Sequence, residues 1–132
     1  MGQEYRRTAT TVSLINYHFV FCPRYRRKVL VKQVEIRFKE LLEKICQEND
    51  WHIVAMEVMP DHVHLFLNGL PTDSPSDVMA KVKGVTSRIL RQEFKHLAHL
   101  PSLWTRSFFV STAGNVSSET VKRYVEEQKK RG

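Results

Sequence analysis

The sequence predicts an α+β fold in which four strands and two helices follow one another as β-α-β-β-α-β, with a third helix after them. Two observations support this prediction. Segments rich in aromatic and β-branched residues alternate along the chain with segments whose apolar residues recur every three to four positions. The chain also has 132 residues, 42% of them hydrophobic, which suits a single domain with one core over residues 1–132.

The first half of the chain provides one strand and one helix. Residues 1–11 are polar and are expected to be loose, whereas residues 13–22 (SLINYHFVFC) have the composition of a strand. A basic loop follows from Pro23. Residues 32–49 predict the first helix, because five apolar side chains recur there at helical spacing. These are Val34, Phe38, Leu41, Leu42 and Ile45.

The middle of the chain predicts a hairpin. Residues 51–59 (WHIVAMEVM) and 62–68 (HVHLFLN) are strand candidates, and Pro60-Asp61 can form a tight turn between them. The second of these strands alternates between two faces. The face directed at the helices holds Val63, Leu65 and Leu67, and the opposite face holds His62, His64 and Phe66.

The last part of the chain predicts a second helix, a fourth strand and a third helix. Residues 74–97 predict the helix, with a serine as its cap and a proline at its first position. Residues 104–112 (WTRSFFVST) predict the strand, which the Ala-Gly-Asn sequence at 113–115 ends. Residues 117–130 predict the last helix, which again can begin with a serine cap.

This order of elements is the ferredoxin-like arrangement. In that arrangement the strands form one antiparallel sheet, and the first two helices cover one of its faces. The third helix is then free to cover the other face.

The composition indicates a basic protein of the cytosol. Lys and Arg number 21 against 14 Asp and Glu, and a net charge of +7 is typical of domains that bind polyanions such as nucleic acids. We find no apolar segment typical of a signal peptide and no apolar run long enough for a membrane span, so we expect a cytoplasmic protein. Cys22 and Cys46 match no metal-binding spacing and are expected to be buried thiols.

His62 and His64 are the first candidates for chemistry. Side chains two residues apart on a strand lie on the same side, about 6–7 Å apart at the backbone, so two imidazoles can converge on one metal ion. Two polar residues on a solvated strand face have the same spacing, and such pairs often arise by chance.

Tyr124 and Gln128 are the second candidates. They are four residues apart on the predicted last helix, and therefore lie on one face with Val121 and Val125. The helix face turned towards the protein would carry a phenol and a carboxamide among valines. A tyrosine that packs in a core with its hydroxyl paired explains the same pattern.

The two pairs of residues fit one chemistry together. Two imidazoles and an amide oxygen make a mixed site for a divalent cation, with positions left for water and phosphate oxygens. A phenol with its ordinary pKa of about 10 is a poor nucleophile at neutral pH. A cation that polarises a phosphate makes the phosphorus easier to attack. A covalent tyrosyl intermediate would keep the energy of the phosphodiester, which suits the rejoining of DNA.

Over roughly residues 10–131 the chain resembles the single-tyrosine HUH transposases of the insertion-sequence 200/605 family. The histidine pair, within MPDHVHLFL, matches the His-hydrophobic-His motif of that family. Four other segments match in the expected order. They are YHFVFCPRYRRKVL (17–30), KVKGVTSRILRQEF (81–94), LWTRSFFVSTAG (103–114) and VKRYVEEQ (121–128).

The resemblance implies cleavage and rejoining of single-stranded DNA at the ends of an insertion sequence, through a 5′-phosphotyrosine link and a free 3′-hydroxyl. It makes Tyr124 the nucleophile, and it makes His62, His64 and Gln128 the ligands of Mg²⁺ or Mn²⁺. It also implies recognition of subterminal hairpins and a homodimer. In that dimer the tyrosine helix of one subunit can complete the site of the other.

Basic residues in two segments are candidates for DNA contacts. One set can bind phosphates and stack on a base, unless its loop is merely solvated: Arg24, Tyr25, Arg26, Arg27 and Lys28. The other set can hold the backbone of a hairpin stem: Lys81, Lys83, Arg88 and Arg91. Asn16 and His18 share one side of the first strand. They can support the histidine pair, contact DNA or lie on a solvated face.

Two other functions fit parts of the sequence. A non-catalytic domain that stacks nucleic-acid bases on a ferredoxin-like sheet explains the charge and the fold, but gives the tyrosine, the glutamine and the histidine pair no shared purpose. A relative retired from transposition, which nicks palindromic repeats of its host, fits the same residues as a transposase.

Overall fold

The computed structural model describes residues 4–112 and 118–131. The strands are β1 (Arg6–Arg7), β2 (Val12–Ser13), β3 (Ile15–Phe21), β4 (His52–Met59), β5 (His62–Gly69) and β6 (Phe109–Thr112). The α-helices are α1 (Lys32–Glu48), α2 (Pro75–Glu93) and α3 (Ser118–Glu127). Short 3₁₀ turns occupy Arg24–Arg26, Lys95–Leu97 and Gln128–Lys130.

The main sheet has the strand order β4-β5-β3-β6, and all neighbouring strands are antiparallel. Helix α1 connects β3 to β4, and α2 connects β5 to β6, so each helix crosses over a strand that lies between the two it joins. This topology confirms the predicted ferredoxin-like fold. In β3, which lies between β5 and β6, Val20 pairs with His64 of β5 on one side and with Phe109 of β6 on the other.

One face of the sheet packs against α1 and α2. Val63, Leu65 and Leu67 are fully buried there, as the alternation in β5 predicts. The apolar stripe of α1 joins them, and the ring of Phe38 lies 5.5 Å from that of Trp104. Burial of this apolar face holds the helices on the sheet, because each buried aliphatic side chain contributes about 1.5–3 kcal/mol.

Helix α2 begins where the sequence predicts. The hydroxyl of Ser74 accepts a hydrogen bond from the backbone N–H of Asp77 at 3.1 Å, and Pro75 is the first helical residue. The helix ends at Glu93 because Phe94 adopts an extended backbone conformation, and a 3₁₀ turn continues the predicted helical segment to Leu97.

Helix α3 covers the opposite face of the sheet. Val125 is buried against Val20 of β3, and Tyr124 and Phe109 pack around this contact. The predicted chain break at 113–115, the predicted Ser117 cap and the side chain of Val121 lie outside what the structure describes. The sheet face that carries the histidines is therefore also the face that receives the tyrosine helix.

The fourth strand is shorter than predicted, because it begins at Phe109 rather than at residue 104. The ammonium of Lys83 donates to the carbonyls of Thr105 and Ser107 at 2.9 and 2.7 Å, so these groups are turned away from β3. Trp104 makes a single bridge to the chain at Pro23 and turns its indole into the core. The segment before β6 is consequently a loop beside α2.

Part of the segment expected to be loose is structured. Arg6–Arg7 pair with Val12–Ser13, and Arg6 donates one hydrogen bond to the side chain of Asn68 in β5 and one to its backbone carbonyl. Strand β3 accordingly begins at Ile15. Both thiols are buried, as predicted. Among the described helices, none combines the length and apolar character needed to cross a membrane.

Candidate active site

The histidine pair lies in β5 on the face opposite α1 and α2. The rings of His62 and His64 have their centroids 5.1 Å apart and are inclined at 78° to each other. Both side chains are partly exposed, and His64 lies directly across from Val20. The His-x-His spacing on a strand thus brings two imidazoles side by side, as the sequence predicts.

The hydrogen bonds of both histidines use Nδ1. Nδ1 of His62 is 2.8 Å from Oδ1 of Asp61, and Nδ1 of His64 is 3.2 Å from Nε2 of His18. Burial first, and then the neighbouring His62 and His18, lower the pKa of His64, so its neutral form is favoured. A neutral imidazole with one nitrogen engaged presents the other nitrogen to a metal ion.

Asp61 also belongs to the site, although its sequence position indicated only a turn between two strands. Its carboxylate is 11% exposed and contacts both His62 and the guanidinium of Arg26. Burial alone raises the pKa of Asp61, but the hydrogen bonds from His62 and Arg26 outweigh it and lower the pKa. The carboxylate is therefore ionised at neutral pH and can hold both partners.

The phenol of Tyr124 points at the loop before β6. Its hydroxyl is 3.0 Å from Oγ of Ser107, and its ring is 5.9 Å from that of Phe109. Burial raises the pKa of Tyr124, and the hydrogen bond with Ser107 offsets only part of this effect. The phenol is therefore protonated at neutral pH in this arrangement.

Gln128 is almost completely buried, with 1% of its surface exposed. Its Oε1 accepts a hydrogen bond from the Ser107 hydroxyl at 3.1 Å, and its Nε2 donates to the carbonyl of Tyr124 at 3.2 Å. A serine has one hydroxyl proton, so the phenol of Tyr124 must donate to Ser107. Ser107 thus joins the two predicted residues of α3, a role that no spacing in the sequence indicated.

The two pairs share one face of the sheet but contact different partners. Over residues 4–112 and 118–131, no hydrogen bond links Tyr124 or Gln128 to either histidine. Within the same ranges, no three His, Cys, Asp or Glu side chains are grouped so as to hold a metal ion. A cation at the histidine pair would therefore need oxygen ligands of another kind, such as a carboxamide, water or phosphate.

The predicted supporting residues lie beside the histidine pair on β3. The ring of His18 stacks on Phe66 at 4.1 Å and meets His64 through its Nε2. Asn16 lies further along the strand, where its side-chain oxygen accepts a hydrogen bond from Asn68 at 2.8 Å. Of the two, His18 contacts a member of the histidine pair directly.

The basic loop after β3 packs against the end of the tyrosine helix. The backbone N–H of Tyr25 donates to the carbonyl of Arg131 at 2.7 Å. The ring of Tyr25 is 53% exposed, and the guanidinium of Arg27 lies 5.4 Å from its centroid. Arg27 and Lys28 are exposed, whereas Arg24 is partly buried. Tyr25, Arg27 and Lys28 are therefore open to a nucleic-acid strand.

Two of the predicted DNA contacts have partners within the protein. The guanidinium of Arg26 is occupied by Asp61, and its side chain is only 14% exposed. The ammonium of Lys83 is held by two backbone carbonyls, and burial lowers its pKa to about 8. Arg26 is thus paired with a carboxylate, whereas Lys83 bonds to neutral carbonyls that leave its charge uncompensated.

The other basic residues of α2 lie on its accessible side. Lys81 is exposed and donates to the side chain of Asn49 at 2.7 Å. Arg88 and Arg91 line an open cleft of about 330 Å³ together with Lys83 and Arg106. Four basic residues around one cleft make it a candidate surface for phosphate groups.

The structure thus has a ferredoxin-like sheet with a histidine pair on one face and a tyrosine helix packed over the same face. The chain belongs to the IS200-like transposases, because the sequence of residues 11–128 matches the family described as "Transposase IS200 like".

Individual relatives agree with this assignment. The chain is similar to the ISDra2 transposase TnpA of Deinococcus radiodurans, with 30% identity over 128 residues, which cover 95% of this chain and 91% of the relative. It is equally similar, at 30% identity over 135 residues, to the transposase for insertion sequence element IS200 of Salmonella typhimurium. That match covers 98% of this chain and 88% of the relative.

Solved structures show the same fold. A crystal structure of a transposase from Deinococcus radiodurans superposes with a TM-score of 0.82 and 33% identity, covering 93% of this chain and 97% of that one. A REP-associated tyrosine transposase bound to a REP hairpin superposes with a TM-score of 0.53 and 21% identity. That match covers 95% of this chain and 69% of that one, and it bears on the fold alone.

Proposed function

We propose that this transposase cleaves and rejoins single-stranded DNA at the ends of an insertion sequence through a 5′-phosphotyrosine intermediate. The observation that supports this best is the placement of Tyr124 and the histidine pair on one face of the sheet of an IS200-like transposase. A tyrosine that only packs in the core would not require a histidine pair on the same face of the sheet.

Tyr124 is the proposed nucleophile. Its phenolic oxygen attacks the phosphorus, the bond from phosphorus to the 3′-oxygen breaks, and that oxygen takes up a proton to become a free 3′-hydroxyl. The phenol loses its proton in the same step. Because burial raises the pKa of Tyr124, the phenol begins the step protonated. Its proton goes to solvent water, and water supplies the proton that the 3′-oxygen takes up. The hydroxyl oxygen of Ser107 accepts a hydrogen bond from the phenol and orients it, but is too weakly basic to keep the proton.

His62 and His64 are the proposed ligands of Mg²⁺ or Mn²⁺. The donor set fits: the Asp61 carboxylate at Nδ1 of His62 leaves Nε2 of that ring for a cation, and His64 offers its Nε2 when its Nδ1 carries the proton that is shared with His18. The chemistry that such a cation supplies is polarisation of the phosphate under attack. Gln128 is the proposed third ligand, and this role requires its carboxamide to leave Ser107.

A homodimer is part of the proposal. In the single chain, Tyr124 and Gln128 bond to Ser107 rather than meeting the histidines, which is compatible with a site completed by a second copy.

Hairpin DNA is the proposed ligand of the basic surfaces. Its phosphates suit the exposed loop and the arginine cleft.

The test is formation of a covalent adduct. The protein is mixed with labelled single-stranded DNA that spans an element end with its imperfect palindrome, with and without Mn²⁺, and analysed in SDS. We expect a labelled species of the protein's mass plus the DNA fragment, formed only with the divalent ion. Tight binding without any adduct would instead favour the non-catalytic nucleic-acid-binding domain.

The exposed part of the basic loop is expected to set the salt dependence of DNA binding. Arg27→Ala should lower the slope of log affinity against log salt by about 0.7–1, because one phosphate contact is lost. The measurement is a titration of labelled DNA at several salt concentrations. Lys44→Ala, which removes an exposed charge from α1, is the control and should leave the slope unchanged. If Arg27→Ala has the same slope as Lys44→Ala and the unmodified protein, Arg27 does not contact a DNA phosphate.

A further inference from the structure

Asp61 precedes His62 at the turn between β4 and β5, and its two carboxylate oxygens have separate partners. Oδ1 lies 2.8 Å from Nδ1 of His62. Oδ2 accepts from Nε and Nη2 of Arg26 at 3.0 and 2.6 Å. A carboxylate next to Nδ1 favours the tautomer in which Nδ1 carries the proton. The lone pair of Nε2 is then available to bind a metal ion.

The Arg26–Asp61 pair is shielded from solvent. The side chains are 14% and 11% exposed, and both donors of Arg26 point at the same carboxylate oxygen. Such a charge-assisted pair has a defined geometry, unlike an exposed pair of long side chains. The carboxylate therefore cannot rotate freely, and the orientation of His62 follows from it.

The backbone around Arg26 is held in an unusual conformation. Tyr25 and Arg26 have φ angles of 57° and 51°, a region that residues other than glycine rarely adopt. Backbone hydrogen bonds from these two residues to Arg131 and Pro23 support the turn. Nη1 of Arg26 also reaches the carbonyl of Val125 in α3 at 3.5 Å. The loop thus directs one guanidinium between the histidine strand and the tyrosine helix.

We propose that Asp61 and Arg26 are positioning residues: Asp61 fixes the ring and the tautomer of His62, and Arg26 fixes Asp61. This inference rests on the proposed metal role of His62. In this arrangement the guanidinium of Arg26 is paired with Asp61, while Arg27 and Lys28 of the same loop are exposed.

The test measures metal binding and the tautomer in DNA-free protein. Free Mn²⁺ is followed by electron paramagnetic resonance, and long-range ¹H–¹⁵N spectra show which ring nitrogen of His62 carries the proton. Asp61→Ala should weaken Mn²⁺ binding about 10- to 100-fold and turn a single Nδ1–H tautomer into a mixture. Arg26→Ala should weaken Mn²⁺ binding less, about three- to tenfold, because it acts through Asp61.

Arg27→Ala is the matched control. It removes the same charge from the same loop, and it should leave both the Mn²⁺ affinity and the tautomer as they are. The double variant Arg26→Ala/Asp61→Ala leaves no unpaired buried charge, so it tests the proposal even if Asp61→Ala fails to fold. It should show the weak binding and the mixed tautomer of Asp61→Ala.

The proposal is overturned if the Asp61 variants keep a single Nδ1–H tautomer and bind Mn²⁺ within about twofold of the unmodified protein. If Arg26→Ala behaves like Arg27→Ala, the role of Arg26 is refuted while that of Asp61 stands. The tautomer is read without metal. An unmodified protein that binds no Mn²⁺ would therefore count against the proposed metal site, and the spectra would still decide the positioning role.

Discussion

Tyr124→Phe is expected to abolish the covalent adduct with single-stranded DNA. Removal of the proposed attacking oxygen should reduce adduct formation at least about 10³-fold, which is below detection in a gel assay. DNA affinity should stay within about twofold, because one hydroxyl at the cleavage site makes no phosphate ion pair. The fold should tolerate the change, since the ring keeps its contact with Phe109.

A second tyrosine provides the control for this prediction. Tyr25 lies in the basic loop with more than half of its surface exposed, and Tyr25→Phe removes an identical hydroxyl. That variant should form the adduct as the unmodified protein does. An adduct of undiminished yield in Tyr124→Phe would show that another residue is the nucleophile. Loss of the adduct in both variants would point to a general effect on DNA binding.

The fold could be predicted because its signals are local and repeated. In β5 every second residue from Val63 to Leu67 is apolar, and this period assigns both a strand and the face that meets the helices. The stripe of α1 and the cap of α2 are equally local. The observed register pairs His18 with Phe66 and Val20 with His64, so the ring of His18 reaches Nδ1 of His64 diagonally.

The error in the fourth strand has a long-range cause. The stretch before Phe109 has the composition of a strand, but Lys83 of α2 binds the carbonyls that a strand would offer to β3. The sequence shows a lysine on a helix and an aromatic segment some twenty residues later. It does not show that the ammonium reaches the backbone of that segment.

The parts of the site that the sequence did not indicate are those that connect elements. Ser107 joins Tyr124 to Gln128, and Asp61 joins Arg26 to His62. Each of these contacts links side chains from different elements, so no periodicity reveals them. A run of basic residues also cannot distinguish Arg26, which is paired inside the protein, from Arg27, which is exposed.

His64→Ala is expected to lower the rate of adduct formation about 10²-fold or more and to blunt its dependence on Mn²⁺. The size follows from the several kcal/mol of transition-state stabilisation that a bound cation supplies, since about 1.4 kcal/mol corresponds to a factor of ten. His64 is the better choice of the two histidines for this test. Its neighbours are His62 and His18, so its loss leaves the Arg26–Asp61 pair intact.

The control is His52→Ala, which removes an exposed imidazole from β4 without touching the pair in β5. It should keep both the rate and the Mn²⁺ dependence. Initial rates measured across a Mn²⁺ titration separate two cases. A ligand variant needs more metal and reacts more slowly even at saturation, whereas a variant with a merely loosened strand reacts more slowly at an unchanged half-saturating concentration. An unaltered Mn²⁺ curve for His64→Ala would remove this imidazole from the ligand set, and the cation would then have to be placed elsewhere on the face that Tyr124 covers.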